Sequence, residues 1–193
     1  MTWEKEHTMR IIAGSLKGRK IQAPDNDEVR PTSDRTRESV FNLLMHGQFG
    51  GDNIIGERVA DLCCGTGAIG LEAISRGATT CQFVDISKKS LELAKSNAIH
   101  CGVSSQCQFL PADIIKLPPV TQPFALVFMD PPYAKNILSE SYASLTLGNW
   151  FKPGSLLVAE LPRRIDLPVL EGAELVTSRD YGKHTSIQVW RIL

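Results

Sequence analysis

The 193-residue sequence has no apolar run long enough to cross a bilayer and no stretch that resembles a secretory leader. Its first residues, Met1–Met9, are polar and include Glu4 and Glu6. The expectation is a cytoplasmic protein with no membrane partner. The chain also lacks an excess of charge: 21 Lys and Arg balance 21 Asp and Glu. Net charge therefore argues neither for nor against a nucleic-acid partner, and the distribution of charge has to decide. No Cys-x-x-Cys pair occurs among Cys63, Cys64, Cys81, Cys101 and Cys107. An odd set without that spacing, four of them in or beside apolar runs, points to buried free thiols rather than disulfides or a metal site. There is no internal repeat and no low-complexity tract. What remains, at 42% hydrophobic and 22% charged residues, is an ordinary globular chain with one sizeable core.

Read in order, the residues before Met9 form either a dispensable extension or an alternative start. Met9–Pro24 holds Arg10, Lys17, Arg19 and Lys20 and no acidic residue. Its short apolar runs, Ile11–Ala13 and Ile21–Ala23, flank Gly14–Gly18, which reads as a small basic β-hairpin, the alternative being a solvated loop. Pro24–Glu28 is a turn-rich acidic connector. A helix is expected over Arg35–His46, capped by Ser33 or Asp34, with Val40, Phe41, Leu44 and Met45 as its apolar face. Strands are then expected at Arg58–Cys64, Gln82–Ile86, Cys107–Leu110, Phe124–Asp130 and Ser155–Glu160. Helices follow the first and second of these strands, Ser87 capping the second helix, and another lies near Leu138–Leu147. Lys152-Pro153-Gly154 reads as a turn. Alternating strands and helices mean a parallel, doubly wound α/β sheet. Glu174–Tyr181 and Thr185–Ile192, separated by Gly182-Lys183-His184, add an antiparallel hairpin at one edge.

The stretch around which the chemistry gathers is Phe124–Tyr133. An apolar strand delivers Asp130 and is stopped by Pro131 and Pro132, whose missing N–H groups leave carbonyls with no ladder to join. Tyr133 adds a flat aromatic face. A carboxylate, free carbonyls and a ring at a strand's end suit a planar substrate that donates hydrogen bonds, such as a nucleobase amine. Gly65-x-Gly67-x-x-Gly70 after the first strand permits a tight turn and close approach of a cofactor to the backbone. Asp85 ends the next strand, where a carboxylate can accept from ribose hydroxyls, and Asp113 follows the third, placed to meet an adenine amine. Asp61 stands four residues before Gly65. A buried negative charge there would repel a pyrophosphate but suits the ammonium group of S-adenosylmethionine.

Asp61–Gly70 together with Asp130-Pro131-Pro132-Tyr133 resembles the Rossmann-like, class I S-adenosylmethionine methyltransferases that act on exocyclic or amide nitrogens. Three further segments, Arg10–Gly14, Arg30–Asn42 and Gly70–Ala78, resemble more narrowly the bacterial small-subunit (16S) ribosomal RNA guanine-N2 methyltransferases, the RsmD-like family. Cys63-Cys64 departs from the Phe-Ala pair common there. The resemblance implies a mostly parallel seven-stranded sheet with a C-terminal antiparallel hairpin and a small N-terminal basic hairpin. It divides the chain into an RNA-contacting extension (1–50) and an S-adenosylmethionine-binding catalytic domain (51–193). It also implies that Asp130 and the Pro131 carbonyl accept from the guanine amine and that Tyr133 stacks on the flipped base. Asp61, Gly65, Gly67, Asp85 and Asp113 would hold S-adenosylmethionine. Arg10, Lys17, Arg19, Lys20, Arg35 and Arg37 would grip phosphates of ribosomal RNA, free or within an assembling small subunit. The alternatives are an amino-methyltransferase of DNA adenine or protein glutamine, a nicotinamide-dependent oxidoreductase, and a non-catalytic RNA-binding module. The short chain, with no large recognition domain, argues against sequence-specific DNA.

Overall fold

In the computed structural model of the chain, which describes residues 8–23, 34–131, 137–163 and 168–193, the elements run β1 (Thr8–Arg10), β2 (Lys20–Gln22), α1 (Asp34–Met45), β3 (Arg58–Leu62), α2 (Ala68–Ser75), β4 (Thr80–Asp85), α3 (Lys88–His100), β5 (Cys107–Pro111), β6 (Phe124–Met129), α4 (Ile137–Leu147), β7 (Phe151–Pro162), β8 (Ala173–Tyr181) and β9 (Thr185–Ile192). Strands β3–β9 form one seven-stranded sheet in the order β5-β4-β3-β6-β7-β9-β8. The pairs among β3, β4, β5, β6 and β7 are parallel, and β9 runs antiparallel to both β7 and β8. This is the Rossmann-like sheet with its C-terminal hairpin at one edge.

All six residues of β6 are buried, because helices cover both faces of the sheet. Alternate strand residues divide between two cores. Val59, Phe83, Leu126, Phe128, Leu156 and Val158 pack with α1, α2 and α3. Ala60, Leu62, Val84, Val127, Met129, Leu157 and Ala159 pack with α4 and Trp150. The chain builds outward from β3 to β4 and β5, then returns to the other side of β3 as β6. Strand order therefore reverses between β3 and β6, and the crevice beyond their carboxyl ends is where such sheets take ligands.

Two strands depart from the expectation by more than two residues at one end. The seventh strand is longer than Ser155–Glu160, because β7 is clamped by β6 and β9 and a register shift opposite Phe124–Leu126 absorbs the Lys152-Pro153-Gly154 turn. The N-terminal hairpin pairs Thr8–Arg10 with Lys20–Gln22, so Ile11–Ala13 is not its first strand. Ile11 still bonds across the hairpin, to Arg19 O and from Gly18 N, but a buried carboxylate claims the two residues after it: the N–H groups of Ile12 and Ala13 donate to Glu72 of α2 at 2.7 and 3.0 Å. Next to them Ser15 N donates to Ser75 O, and Leu16 N to Ser75 Oγ. Gly14, at φ +82°, lies so close that a Cβ would sit 1.8 Å from Ser75 O.

Glu72, fully buried, also pairs with Arg76 at 2.8 Å and Arg37 at 3.8 Å. Arg37 in turn donates to Arg10 O at 2.5 Å and pairs with Asp34. One carboxylate thus ties β1, α1 and α2 together. Removing one partner of a buried ion pair strands the others, at about 3–5 kcal/mol. Glu72→Ala is expected to lose that much in urea unfolding and to expose residues 8–22 to proteolysis. A loss below about 1 kcal/mol, the value of a surface pair, would show that Glu72 does not hold the segment.

Candidate active site

β3 ends in a turn whose backbone sets the site. Cys63 has φ +57°, Gly65 +50° and Gly67 +77°, and Gly67 opens α2 in the left-handed region that an L side chain resists. Gly70 serves packing rather than the turn: a Cβ there would lie 2.4 Å from the Phe83 ring and 2.6 Å from Cys81 Sγ. Nothing lies within 4 Å of a Cβ built on Gly65, so that side of the turn is open. Beneath it, Asp61 is 4% exposed, and its Oδ2 accepts from Gly70 N at 2.9 Å in the first turn of α2. Burial outweighs that hydrogen bond, and Asp130 and Asp85 add to its effect, so the Asp61 pKa is pushed up to about 8. Among the described residues no basic side chain pairs with Asp61.

Asp85, at the end of β4, spans two backbone donors. Its Oδ2 accepts from Gly65 N at 3.0 Å and its Oδ1 from Ser87 N at 2.8 Å. It thereby fastens the glycine turn to the β4–α3 connection, a role its strand-end position alone did not disclose. Beside it Ile86 leaves 75% of its surface exposed, an apolar wall next to a carboxylate that sequence reading missed. An apolar residue directly after a strand-end acid was the available signal. Asp113 accepts from Ile115 N at 3.1 Å within its own loop.

At the end of β6, Asp130 N donates weakly to Leu62 O at 3.5 Å, linking the two central strands. The Asp130 carboxylate makes no hydrogen bond with the described residues. The protein around it and then Glu160 push its pKa upward, although its outer edge is open to water, which screens part of the effect. Pro131 is buried, while Pro132 and Tyr133 lie outside the described residues. The four strand-end acids converge: after burial itself, Asp85, Asp130, Asp61 and Asp113 all act on the Cys63 thiol, whose pKa is pushed up to about 12. Cys63 is thus an inert marker of where they meet. Glu160 of β7, one residue past the last β6–β7 pair, was not singled out from the sequence, though it closes the expected strand Ser155–Glu160 and the same strand-end rule would have found it.

The basic residues separate into two groups. Arg10, Lys17, Arg19, Lys20 and Arg35 are exposed; Arg19 also donates to His100 O at 3.3 Å, and Arg10 pairs with Asp34 at 3.5 Å. Arg37 is a correction. Its side chain is fully buried against Asp34 and Glu72, so it holds the fold and has no surface to offer a phosphate. Helical spacing placed Arg35 and Arg37 on one segment, but two residues along a helix point to different sides. Of the expected helix cap, Ser33 lies outside the described residues, and Asp34 is the first residue of α1. All five cysteines are free thiols. Among the described residues no helix is long and apolar enough to cross a membrane, and no group of three or more metal-ligating side chains is found.

The raised Asp61 pKa has a consequence for stability. A carboxyl that folding holds protonated favours the folded state at low pH. That contribution is fully present below the ordinary value of 3.8 and is lost as pH rises through about 8. Asp61→Asn keeps an acceptor for Gly70 N but cannot titrate. Urea midpoints measured across this interval are expected to fall less with pH in the variant than in the parent. Parallel slopes would show that Asp61 is ionised throughout.

Comparison with known proteins agrees with this architecture. The family described as conserved hypothetical protein 95 matches residues 9–190. Ribosomal RNA small subunit methyltransferase D of Haemophilus influenzae is 31% identical over 181 residues, covering 90% of this chain and 89% of that one. The solved structure of the yhhF protein of Escherichia coli superposes with a TM-score of 0.81 at 25% identity, covering 96% and 98% of the two chains. An RNA methyltransferase from Salinibacter ruber, solved with S-adenosyl-L-homocysteine, shares the fold with a TM-score of 0.61 at 16% identity, over 84% of this chain and 94% of that one. The chain belongs to the conserved hypothetical protein 95 family, the RsmD family of methyltransferases.

Proposed function

We propose that the protein transfers a methyl group from S-adenosylmethionine to the exocyclic N2 amine of a guanine in small-subunit ribosomal RNA. The observation that carries this reading is the Asp130 carboxylate, without a hydrogen bond among the described residues, where strand order reverses and beside the turn that joins Asp61, Gly65 and Asp85. Gly65 leaves room for the cofactor, Asp85 and Asp113 suit its ribose and adenine, and exposed Ile86 suits its apolar ring face. The small-subunit rRNA methyltransferase named above supports the choice of substrate. The cofactor's positive charge finds a counterpart in Asp61. On this reading an ammonium group close by lowers the Asp61 pKa and releases its proton on binding.

The reaction forms a bond between N2 and the methyl carbon and breaks the bond from that carbon to sulfur. Sulfur leaves as the neutral thioether, and N2 sheds one proton. The N2 lone pair is delocalised into the purine, so the site's contribution is to hold and orient the amine for in-line attack. Asp130 and the Pro131 carbonyl accept from the amine, and the raised proton affinity of Asp130 suits it to receive the proton. Tyr133 is proposed to stack on the base, which must be extruded or unpaired to reach the site. Residues 1–50 contribute the RNA-contacting surface through Arg10, Lys17, Arg19, Lys20 and Arg35, and residues 51–193 the catalytic domain.

Asp130→Ala is expected to lower the single-turnover rate of methyl transfer to small-subunit RNA by roughly 10²–10³-fold with little change in RNA affinity, as for loss of one preorganised polar contact. Near-normal transfer would return the Asp-Pro-Pro segment to a structural role. Neutralising Lys17, Arg19 and Lys20 together is expected to reduce the salt dependence of RNA binding by a slope of roughly 2–3, with S-adenosylmethionine affinity unchanged. An unaltered slope in a filter-binding titration would make the hairpin an ordinary solvated surface.

A further inference from the structure

Asp130 is not the only acid at the substrate side of the crevice. β6 and β7 run parallel with Met129 beside Ala159, so the next residues along, Asp130 and Glu160, lie side by side. Strand alternation gives them one face. Leu126, Phe128, Leu156 and Val158 belong to the core under α1, α2 and α3, and Asp130 and Glu160 continue those two rows. Asp61, two residues beyond Val59, and Asp85, two beyond Phe83, lie on the same face. Glu160 is also fixed from its other side, where β9 pairs it with Ile187. Its position is therefore set by the β7–β9 ladder and by the end of the β6–β7 ladder one residue before it, rather than by a loop. The two carboxyls feel each other, Glu160 being the charged neighbour that raises Asp130.

We propose that Glu160 reads the base, accepting the N1–H of the target guanine while Asp130 accepts from the N2 amine; this rests on the guanine-N2 reading above. Two acceptors side by side match two donors side by side. Guanine presents N1–H and N2–H₂ next to each other on its Watson–Crick edge. Adenine and cytosine each place a ring-nitrogen lone pair beside their amine. Against either of those bases the Glu160 carboxylate would face a lone pair, and acceptor meeting acceptor is repulsive where acceptor meeting donor is favourable. A donor edge placed between two mutually repelling carboxylates also relieves their repulsion. The N1 proton stays on the base throughout, so Glu160 orients the ring and selects it, and only the N2 proton is lost.

The test uses the full-length protein with small ribosomal subunits that lack the modification. Mass analysis of digested RNA identifies the methylated nucleoside and its position. N2-methylguanosine upholds the underlying reading, and any other product overturns both. Subunits reconstituted with guanine or 2-aminopurine at that one position then isolate the role of Glu160. 2-Aminopurine keeps the N2 amine but carries a lone pair at N1. The parent protein is expected to prefer guanine by about 10–100-fold in kcat/KM, the discrimination of one good base-edge contact. Glu160→Gln can turn its amide to donate to that lone pair, so its preference is expected to fall below about threefold, with S-adenosylmethionine affinity unchanged. Formation of N2-methylguanosine without discrimination by the parent, or with full discrimination retained in Glu160→Gln, would overturn the role of Glu160 and leave the guanine-N2 reading standing.

Discussion

The fixed position of helix α2 is the constraint on which the rest of the molecule hangs. Its first turn is tied down by Asp61 through Gly70 N, and its body is pressed onto the sheet where Gly70 leaves no room for a side chain. Its second turn carries Glu72, which binds the N-terminal segment and two arginines. One end of the helix therefore shapes the open glycine turn, and its flank anchors the basic hairpin. A short helix of 8 residues would be marginal alone in water. Here it is held by carboxylates above and below and by an apolar core around it.

Buried charge is used in two different ways. Glu72 is fully compensated by Arg37, Arg76 and backbone donors, and its cost of desolvation is offset within the fold. Asp61 has one backbone donor and no basic partner among the described residues, so burial lifts its proton affinity. The first arrangement holds structure together. The second leaves an electrostatic demand that a cationic ligand can meet, which is how a site differs from a latch.

The sheet puts the proposed base-reading acids and the proposed cofactor turn on one face because β3 and β6 are neighbours, although α2, β4, α3 and β5 lie between them along the chain. The β3–β6 ladder and the weak link from Asp130 N to Leu62 O bring the two halves of the chemistry together. With Asp85 fastening the turn from the β4 side, three neighbouring strands share in the geometry. A site built on strand ends is rigid before any ligand arrives, which favours orientation as the source of catalysis.

Much of this was legible in the chain. Strand and helix periods, the glycine turn and the apolar run into Asp130 declared a parallel doubly wound sheet, and local rules sufficed because each element carries its own pattern and caps, Ser87 included. The Arg-Pro-Thr and Asp-Pro-Pro-Tyr segments pointed to the family. Three things needed the tertiary structure. Ile11–Ala13 looked like a strand because it is an apolar run, but a carboxylate 59–60 residues away claims the amides of Ile12 and Ala13. Arg37 looked like a surface cation, but Asp34 and Glu72 enclose it. Glu160 looked like the end of an ordinary strand, and only the β6–β7 register sets it beside Asp130. Sequence determines what each segment forms, because that depends on neighbours a few residues away. Which charges are buried, paired or aimed at a ligand depends on contacts between distant segments, and only the folded chain decides those.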